Sequence, residues 1–185
     1  MKTYTDLSQA LKEPDKVQIL DLEDQRLTEI PVEIFQLTNL TKLRLGYNQI
    51  EVIPPELGQL TNLTTLGLRN NQIEVIPTEL CQLTSLTKLY LIENQIQEIP
   101  PEVGQLTTLT TLGLGDNQIE VIPTELGQLT NLEILVLSSN YIKSIPGQIG
   151  TLANLTFLNL QNNKLTSLPN QINHLSKLRL SLIHI

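Results

Sequence analysis

The chain has 185 residues, of which 40% are hydrophobic and only 3% aromatic, so it can bury one large core that is mostly aliphatic. Its formal net charge of −7 argues against nucleic acid and anionic membranes as partners, because both require a basic protein surface. No run of 18 apolar residues occurs, so we expect no membrane insertion. A single cysteine, Cys81, makes no internal disulfide, which leaves the redox compartment open.

Residues 1–16 differ from the rest of the chain and predict one short helix. Leu7, Ala10 and Leu11 recur at helical spacing, and Pro14 interrupts the pattern. We therefore expect a helix at about residues 5–13. The start also lacks the apolar stretch of a secretion signal. Localisation is thus open between the cytoplasm and secretion with a signal that has been removed.

From residue 17 onward the chain is a tandem repeat. Seven prolines recur at one constant interval: Pro31, Pro54, Pro77, Pro100, Pro123, Pro146 and Pro169. Seven units follow one another over residues 17–177 without an insertion. One unit cannot bury its apolar face alone, so stacked units must share one core.

Each unit reads LxxLxLxxNxIxxIPxxLxxL, which combines two periodicities. The alternating leucines predict a short strand with one buried face, and the apolar residues three apart after the proline predict a helical turn. Proline is favourable at the first helical position, and a carboxylate in the first turn faces the positive end of the helix dipole. Five units place a glutamate there: Glu33, Glu56, Glu79, Glu102 and Glu125.

The segment LxxLxLxxNxL resembles the leucine-rich-repeat signature, and the whole unit resembles bacterial repeats of about 23 residues with an LPxxLxxL segment. The resemblance covers 161 of the 185 residues. It implies an α/β solenoid in the form of a curved horseshoe. A parallel sheet would form the concave face, short helical or 3-10 segments the convex face, and residues 1–16 an N-terminal capping helix.

Two columns of identical residues are expected to run through this solenoid. The first is a buried leucine ladder: Leu43, Leu66, Leu89, Leu112, Leu135 and Leu158. The second is an asparagine ladder whose amides satisfy backbone groups in the turns: Asn48, Asn71, Asn94, Asn117, Asn140 and Asn163. Unit one carries Gln25 at the asparagine position, which predicts a looser turn.

Residues 178–185 are a partial last strand or a foreign segment. Ser181 stands where a core leucine is expected, and no polar cap follows. One interpretation is a degenerate strand that closes the sheet. The other is truncation, because LSLIHI resembles the translation of a transposon-end adapter used in DNA library preparation; the natural protein would then continue beyond this point.

Candidate catalytic residues are few. His174 and His184 are the only histidines, and neither has a cysteine or carboxylate in metal-ligand spacing. Cys81 takes the place that glycine fills in four other units, which favours a substituted turn residue over a nucleophile. No glycine-rich phosphate loop or nucleophile elbow appears. We therefore predict no catalytic residues, no metal site and no cofactor.

Binding is expected on the concave face, where the resemblance places the variable positions of LxxLxLxxN. The third, fifth, seventh and eighth places of each unit should point out of the sheet, because alternate strand residues take opposite faces. Unit one is acidic there, with Asp21, Glu23 and Asp24, and unit five is nearly bare, with Gly113 and Gly115. We predict these partner-binding residues: Lys42, Arg44, Tyr47, Arg69, Lys88, Tyr90, Ile92, Ile134, Val136 and Phe157.

The leading hypothesis is a non-enzymatic module that binds a protein or peptide. Two alternatives remain open: a recognition fragment of a larger bacterial signalling protein with a GTPase or kinase domain, and a secreted, adhesin-like protein. We expect a monomer, with end-to-end association possible at the uncapped C-terminus.

Overall fold

A computed structural model describes residues 2–178 and 180–182 of the chain. Nine short parallel strands form one open sheet in which every strand neighbours the next one in sequence. The strands are β1 (Thr3–Tyr4), β2 (Ile19–Asp21), β3 (Lys42–Arg44), β4 (Thr65–Gly67), β5 (Lys88–Tyr90), β6 (Thr111–Gly113), β7 (Ile134–Val136), β8 (Phe157–Asn159) and β9 (Leu180–Leu182). The predicted leucine-rich-repeat solenoid is confirmed.

The side of the solenoid opposite the sheet carries 3-10 helices, as predicted. They are η1 (Pro14–Lys16), η2 (Val32–Gln36), η3 (Pro55–Gln59), η4 (Thr78–Gln82), η5 (Pro101–Gln105), η6 (Thr124–Gln128), η7 (Gly147–Thr151) and η8 (Asn170–His174). One detail of the prediction is wrong, because the repeat proline precedes the helix. Pro77 is the N-cap of η4, with extended backbone, and its carbonyl accepts the N–H of Leu80 at 3.1 Å.

A double proline explains why two helices nevertheless begin with proline. Pro55 and Pro101 follow a repeat proline and are the first residues of η3 and η5. The glutamate lies in the first turn of each helix from η2 to η6, where the prediction placed it.

From β2 to β9 the register shifts by one whole unit between neighbouring strands and builds the core. Leu43 pairs with Leu66, Leu66 with Leu89, and so on to Leu158. All six ladder leucines are at most 1% exposed, and they pack with the other buried leucines and isoleucines into one continuous aliphatic cluster. Every unit therefore depends on its neighbours for burial.

The asparagine ladder fixes the turns that follow the strands. The Asn71 Nδ2 group donates to the carbonyls of Leu68 at 3.0 Å and Arg69 at 3.3 Å within its own unit, and to the Leu45 carbonyl of the preceding unit at 3.0 Å. Its Oδ1 accepts the N–H of Ile50, again from the preceding unit, at 3.0 Å. Asn48, Asn94, Asn117, Asn140 and Asn163 repeat this pattern.

Unit one has a different turn, in keeping with Gln25. The Gln25 side chain lies outside the turn and donates to the Thr5 carbonyl at 2.8 Å. Asn48 of unit two compensates, since its Oδ1 accepts the N–H groups of both Gln25 and Leu27 at 3.0 Å. This turn also holds two residues at positive φ, Asp24 and Arg26, where each later turn holds one.

The helix expected at residues 5–13 is shorter in the structure. α1 spans Leu7–Ala10, and its N-cap is Asp6, whose carboxylate accepts the Gln9 N–H at 3.0 Å. Residues 3–4, which precede the predicted helix, form β1, which pairs with β2 through Thr3↔Ile19 and Tyr4↔Leu20. Pairing with β1 satisfies backbone groups of β2 that would otherwise lie at an open sheet edge.

At the other end, β9 continues the sheet. Its register is Phe157↔Leu180, Leu158↔Ser181 and Asn159↔Leu182, so Ser181 occupies the register position of the leucine ladder. Residues 179 and 183–185, including His184, lie outside the described residues. The division of the chain into residues 1–16, 17–177 and 178–185 stays a prediction, as does the origin of the last segment.

Truncating a central ladder leucine should destabilise the whole solenoid. We expect Leu89→Ala to lower the free energy of unfolding by about 2–5 kcal/mol, because it removes buried methyl groups and leaves a cavity. Urea denaturation followed by circular dichroism measures the change. Val75→Ala is the control, since Val75 is 68% exposed and its truncation should change stability by about 0.5 kcal/mol or less. Equal effects of the two variants would contradict the ladder.

Candidate functional site

The sheet face opposite the leucine core, here called the concave face, carries the variable side chains. Strands β3, β5, β7 and β8 supply seven of the ten predicted binding residues. The turns that follow the strands supply the other three, Tyr47, Arg69 and Ile92, close to the same face. All ten are exposed or half-buried. Their role in binding remains a prediction.

The basic residues line a depression that also includes Gly67. Its volume is about 510 Å³, and it is lined by Glu23, Lys42, Arg44, Thr65, Gly67, Arg69, Lys88, Tyr90 and Ile92. We call it the Gly67 depression. Thr65 and Gly67 of β4 form its floor, with β3 on one side and β5 on the other.

Gly67 differs from the other glycines of this face because the space above it is open. A Cβ atom added at Gly67 would meet nothing closer than the Arg44 Cα and the Leu43 carbonyl oxygen, both at 3.9 Å. A Cβ at Gly46 would approach Glu23 Oε1 to 2.9 Å and Arg69 Cγ to 3.0 Å. The missing side chain at residue 67 therefore creates room for a ligand atom.

Two arginines at this site are held by acidic residues of unit one. Arg44 Nη1 lies 3.0 Å from Asp21 Oδ2, and Arg69 Nη2 lies 3.5 Å from Glu23 Oε1. Arg69 spans two units to reach Glu23 and passes over Gly46, which explains the glycine there. Each pair is partly solvated, so it orients the guanidinium group more than it stabilises the fold.

Arg69 has a second neighbour, because its guanidinium carbon lies 4.6 Å from the ring centroid of Tyr47. This cation–π contact and the Glu23 ion pair hold Arg69 from two sides. In contrast, Lys42 and Lys88 have no carboxylate at ion-pair distance among the described residues. The unmatched positive charge of the depression therefore resides on the two lysines.

Unit five was expected to be nearly bare, and the structure corrects this. A Cβ at Gly113 would lie 3.0 Å from Ile92 Cδ1, and a Cβ at Gly115 would lie 3.2 Å from Val136 Cγ1. Side chains of units four and six thus lean over these glycines from both sides. Thr111, on the same strand as Gly113, is buried.

The apolar residues form a second patch at the far end. Ile134 and Phe157 are register partners on β7 and β8, and Ile134 is 37% exposed. Val136 is on β7 two residues after Ile134. We call Ile134, Val136 and Phe157 the apolar strip.

The eighth place of each unit has left-handed backbone. Its φ values lie between 52° and 57° in all seven units: Asp24, Tyr47, Asn70, Glu93, Asp116, Ser139 and Asn162. Asn and Asp tolerate this conformation, whereas a bulky residue pays a steric penalty there. Tyr47 is the largest residue of the column and also the one that contacts Arg69. No sequence pattern signals this strain.

Further depressions lie beside the 3-10 helices. One, of about 650 Å³, is lined by residues such as Gln97, Gln118, Glu120 and Tyr141, and another, of about 540 Å³, by residues such as Glu51, Gln72 and Glu74. Their walls consist largely of Gln, Glu, Val and Pro letters that recur from unit to unit. Because these residues repeat, the same groove forms in several units. We therefore favour the Gly67 depression as the candidate site, since its combination of lining residues differs from these repeated grooves.

Two of the residues considered for catalysis, Cys81 and His174, lie in the described part of the chain. Burial, together with the carboxylates of Glu102 and Glu79, raises the pKa of the Cys81 thiol to about 11. His174 is exposed in η8. Among residues 2–178 and 180–182, no three His, Cys, Asp or Glu side chains are grouped so that they could hold a metal ion. Over the same residues no helix has the length and apolar character needed to cross a membrane.

Comparison with known families identifies the fold. The family model described as leucine rich repeat matches residues 15–73, 61–119, 107–165 and 130–182. The chain belongs to the leucine-rich-repeat family. A comparison with curated protein sequences finds no match.

Solved structures of other leucine-rich-repeat proteins are similar to this chain. One is a leucine-rich-repeat protein of Leptospira interrogans, with 34% identity over 98% of this chain and 58% of that chain and a TM-score of 0.69. Another is the ectodomain of the plant membrane receptor kinase GASSHO1/SCHENGEN3 from Arabidopsis thaliana, solved in complex with CASPARIAN STRIP INTEGRITY FACTOR 2. It has 35% identity over 97% of this chain and 22% of that chain, with a TM-score of 0.87.

An internalin from Listeria monocytogenes is a third similar structure, with 31% identity over 91% of this chain and 47% of that chain and a TM-score of 0.75. The present leucine-rich-repeat chain thus spans between 22% and 58% of these three proteins. Two of the three are bacterial, as the sequence resemblance implied.

The high pKa of Cys81 predicts an unreactive thiol. At pH 8 a pKa of about 11 leaves about one thiol in a thousand ionised, against about a quarter for an ordinary cysteine. We expect the folded protein to react with Ellman's reagent at least about a hundred times more slowly than the protein in 8 M urea, allowing for burial as well. Because the pKa is raised by folding, the neutral thiol favours the folded state below about pH 8.5, and this contribution is lost as pH rises toward 11. Equal rates in both states would contradict the buried position.

Tyr47 should be replaceable without loss of stability. Tyr47→Asn removes a left-handed tyrosine, worth about 1 kcal/mol or more, and also the cation–π contact, worth about 0.5–1 kcal/mol. We expect the free energy of unfolding to stay level or rise by up to about 1 kcal/mol, because Asn70 and Asn162 already occupy this place in other units. Gly46→Ala is the contrast and should destabilise, since its Cβ would meet Arg69 and Glu23. A clear drop in the melting temperature of Tyr47→Asn would refute the assignment of strain.

Proposed function

We propose that this leucine-rich-repeat chain is a non-enzymatic module that binds a protein or peptide on its concave face. One observation carries the proposal. The core and the turns repeat the same residues, whereas the concave face presents a cationic depression and an apolar strip that occur once each. Leucine-rich repeats commonly act as protein–protein interaction modules, and one similar structure was solved in complex with CASPARIAN STRIP INTEGRITY FACTOR 2.

The residue types of this face also support binding. Tyr and Arg are enriched among the residues that dominate interface energetics, and they lose little conformational entropy when they are already ordered. Arg69 is ordered by Tyr47 and Glu23, and Arg44 by Asp21. Pre-ordered side chains of this kind lower the entropic cost of binding.

A second candidate is the recognition part of a longer signalling protein. The similarity to a receptor-kinase ectodomain, of which this chain spans 22%, supports this second candidate. The similarity to an internalin supports the adhesin-like alternative. In both cases the concave face would still be the recognition surface, so the same binding experiment applies.

Replacing four concave residues together should abolish partner binding. The variant carries Arg44→Ala, Tyr47→Ala, Lys88→Ala and Tyr90→Ala. Partners are isolated by pull-down with the wild-type chain, and their affinity for the purified variant is measured by biolayer interferometry. We expect a loss of at least about a hundredfold, since each central interface side chain contributes about 1–2 kcal/mol or more.

The matched control removes two cations and a tyrosine from another surface: Tyr141→Ala, Lys143→Ala and Lys164→Ala. These residues are exposed, Lys143 pairs with Glu120, and Lys164 lies 4.4 Å from the Tyr141 ring centroid. The control also lowers the net charge by two, so a nonspecific charge effect would appear in both variants. Unchanged affinity of the concave variant, with a folded spectrum, would count against the proposal.

A further inference from the structure

The third place of each unit forms an ordered column across the concave face. Register pairs join Lys42 to Thr65, Thr65 to Lys88, Lys88 to Thr111, Thr111 to Ile134 and Ile134 to Phe157. From Lys42 to Phe157 the column therefore changes from cationic to apolar, and Ile19 on β2 precedes its cationic part. A ligand lying across β3 to β8 would meet positive charge at one end and apolar surface at the other.

The cationic end has room for a carboxylate between two lysines. Lys42 and Lys88 flank Thr65 on neighbouring strands, so their backbones lie about 9.5 Å apart, twice the ~4.8 Å spacing of strands. The open floor at Gly67 is two residues further along β4, between Arg44 and Tyr90. Both lysines lack ion-pair partners among the described residues, so a carboxylate entering here meets uncompensated charge.

A single carboxylate fits this site better than a polyanion. Acidic side chains surround the depression: Asp21 and Glu23 pair with its arginines, and Asp24 and Glu93 are exposed beside it. A chain of phosphates would extend over these carboxylates and be repelled. An acidic side chain would reach the two lysines while the rest of its segment stays neutral.

Unit five lies between the two ends, and side chains of units four and six cover its glycines. Gly113 and Gly115 project no side chain, Thr111 is buried, and Ile92 and Val136 lean in from the two sides. An extended backbone with small side chains can pass over this strand. It would meet apolar atoms there and then arrive at Ile134 and Phe157.

The strand count fixes the spacing of the two ligand groups. β4, under the depression, is three strands from β7 and four from β8, or about 14–19 Å at ~4.8 Å per strand. An extended chain advances about 3.3–3.6 Å per residue, so these distances correspond to about four to six residues.

We infer that the concave face binds an extended peptide segment carrying a Glu or Asp side chain four to six residues from a large apolar side chain. The acidic residue enters the Gly67 depression between Lys42 and Lys88, and the apolar residue packs on the apolar strip. This inference rests on the proposed function and adds the chemistry of the ligand to it.

Selection from a random dodecapeptide phage library on the immobilised wild-type chain tests the inference. Enriched peptides are sequenced, synthesised with a fluorescent label and an amidated C-terminus, and titrated by fluorescence anisotropy. We expect enrichment of an acidic residue at the stated spacing from Leu, Ile, Val, Phe, Tyr or Trp. Amidation removes the terminal carboxylate, so the remaining affinity reports the acidic side chain.

Two variants of matched design separate the two ends. Lys42→Thr with Lys88→Thr removes the cationic end, and Ile134→Thr with Phe157→Thr removes the apolar end. Thr65 and Thr111 already occupy this column, so threonine suits the strands. Each double variant should weaken the enriched peptides by about tenfold or more, as expected for the loss of a paired charge or an apolar anchor. Lys143→Thr with Lys164→Thr, which makes the same charge change elsewhere, should leave affinity within about twofold.

The possible outcomes separate this inference from the proposed function. Peptides that lose affinity in the quadruple alanine variant of the concave face but lack the acidic–apolar spacing overturn the inference and leave the proposed function standing. Peptides whose binding survives every concave variant overturn both. Enrichment no greater than on an unrelated immobilised protein overturns the inference, because the ligand would then not be a linear peptide. Binding that needs a free C-terminus assigns the depression to a terminal carboxylate and overturns the side-chain assignment.

Discussion

The buried amide of the repeat asparagine is the interaction on which the rest of this structure depends. Its Nδ2 group donates to carbonyls of two successive units, and its Oδ1 accepts a backbone N–H of the preceding unit, as Asn71 does with Leu45 and Ile50. Without these bonds the turn would bury unpaired backbone groups, each at a cost of about 1–3 kcal/mol. The amide thereby locks neighbouring units at a register shift of one whole unit.

The fixed register turns a one-dimensional sequence into columns of adjacent side chains. On the core side the columns are largely aliphatic, and the ladder from Leu43 to Leu158 is all leucine, because stacked units must fill the interior densely. On the concave side nothing imposes uniformity, so each strand can carry a different residue. The Gly67 depression and the apolar strip are differences between units that the scaffold itself does not require. Units three and five make this plain, because they differ at only four places, two of which are Arg69 against Gly115 and Asn70 against Asp116.

The structural role of each glycine on the concave face depends on the side chains beside it. Gly46 lets Arg69 reach Glu23, and Gly113 lies beneath Ile92, whereas Gly67 stays open. Gly46 thus leaves room for a long ion pair, Gly113 for an apolar side chain above it, and Gly67 for the binding depression. The left-handed turn adds a further constraint, since Tyr47 is held in a backbone conformation that asparagine would adopt at lower cost.

The sequence by itself determined the period, the solenoid, the leucine and asparagine ladders and the assignment of Lys42, Arg44 and the other variable residues to one face. These features follow from the local pattern, because equivalent residues of successive units stack on one another. Only the tertiary structure determined the contacts between residues that differ from unit to unit. These are the ion pair of Arg69 with Glu23 two units away, the side chains that cover Gly113 and Gly115, and the open floor at Gly67. The tertiary structure also shortened the predicted helix to Leu7–Ala10, added β1 before it and placed the repeat prolines before the 3-10 helices. Such features depend on side-chain directions between units that differ, and no periodicity encodes them.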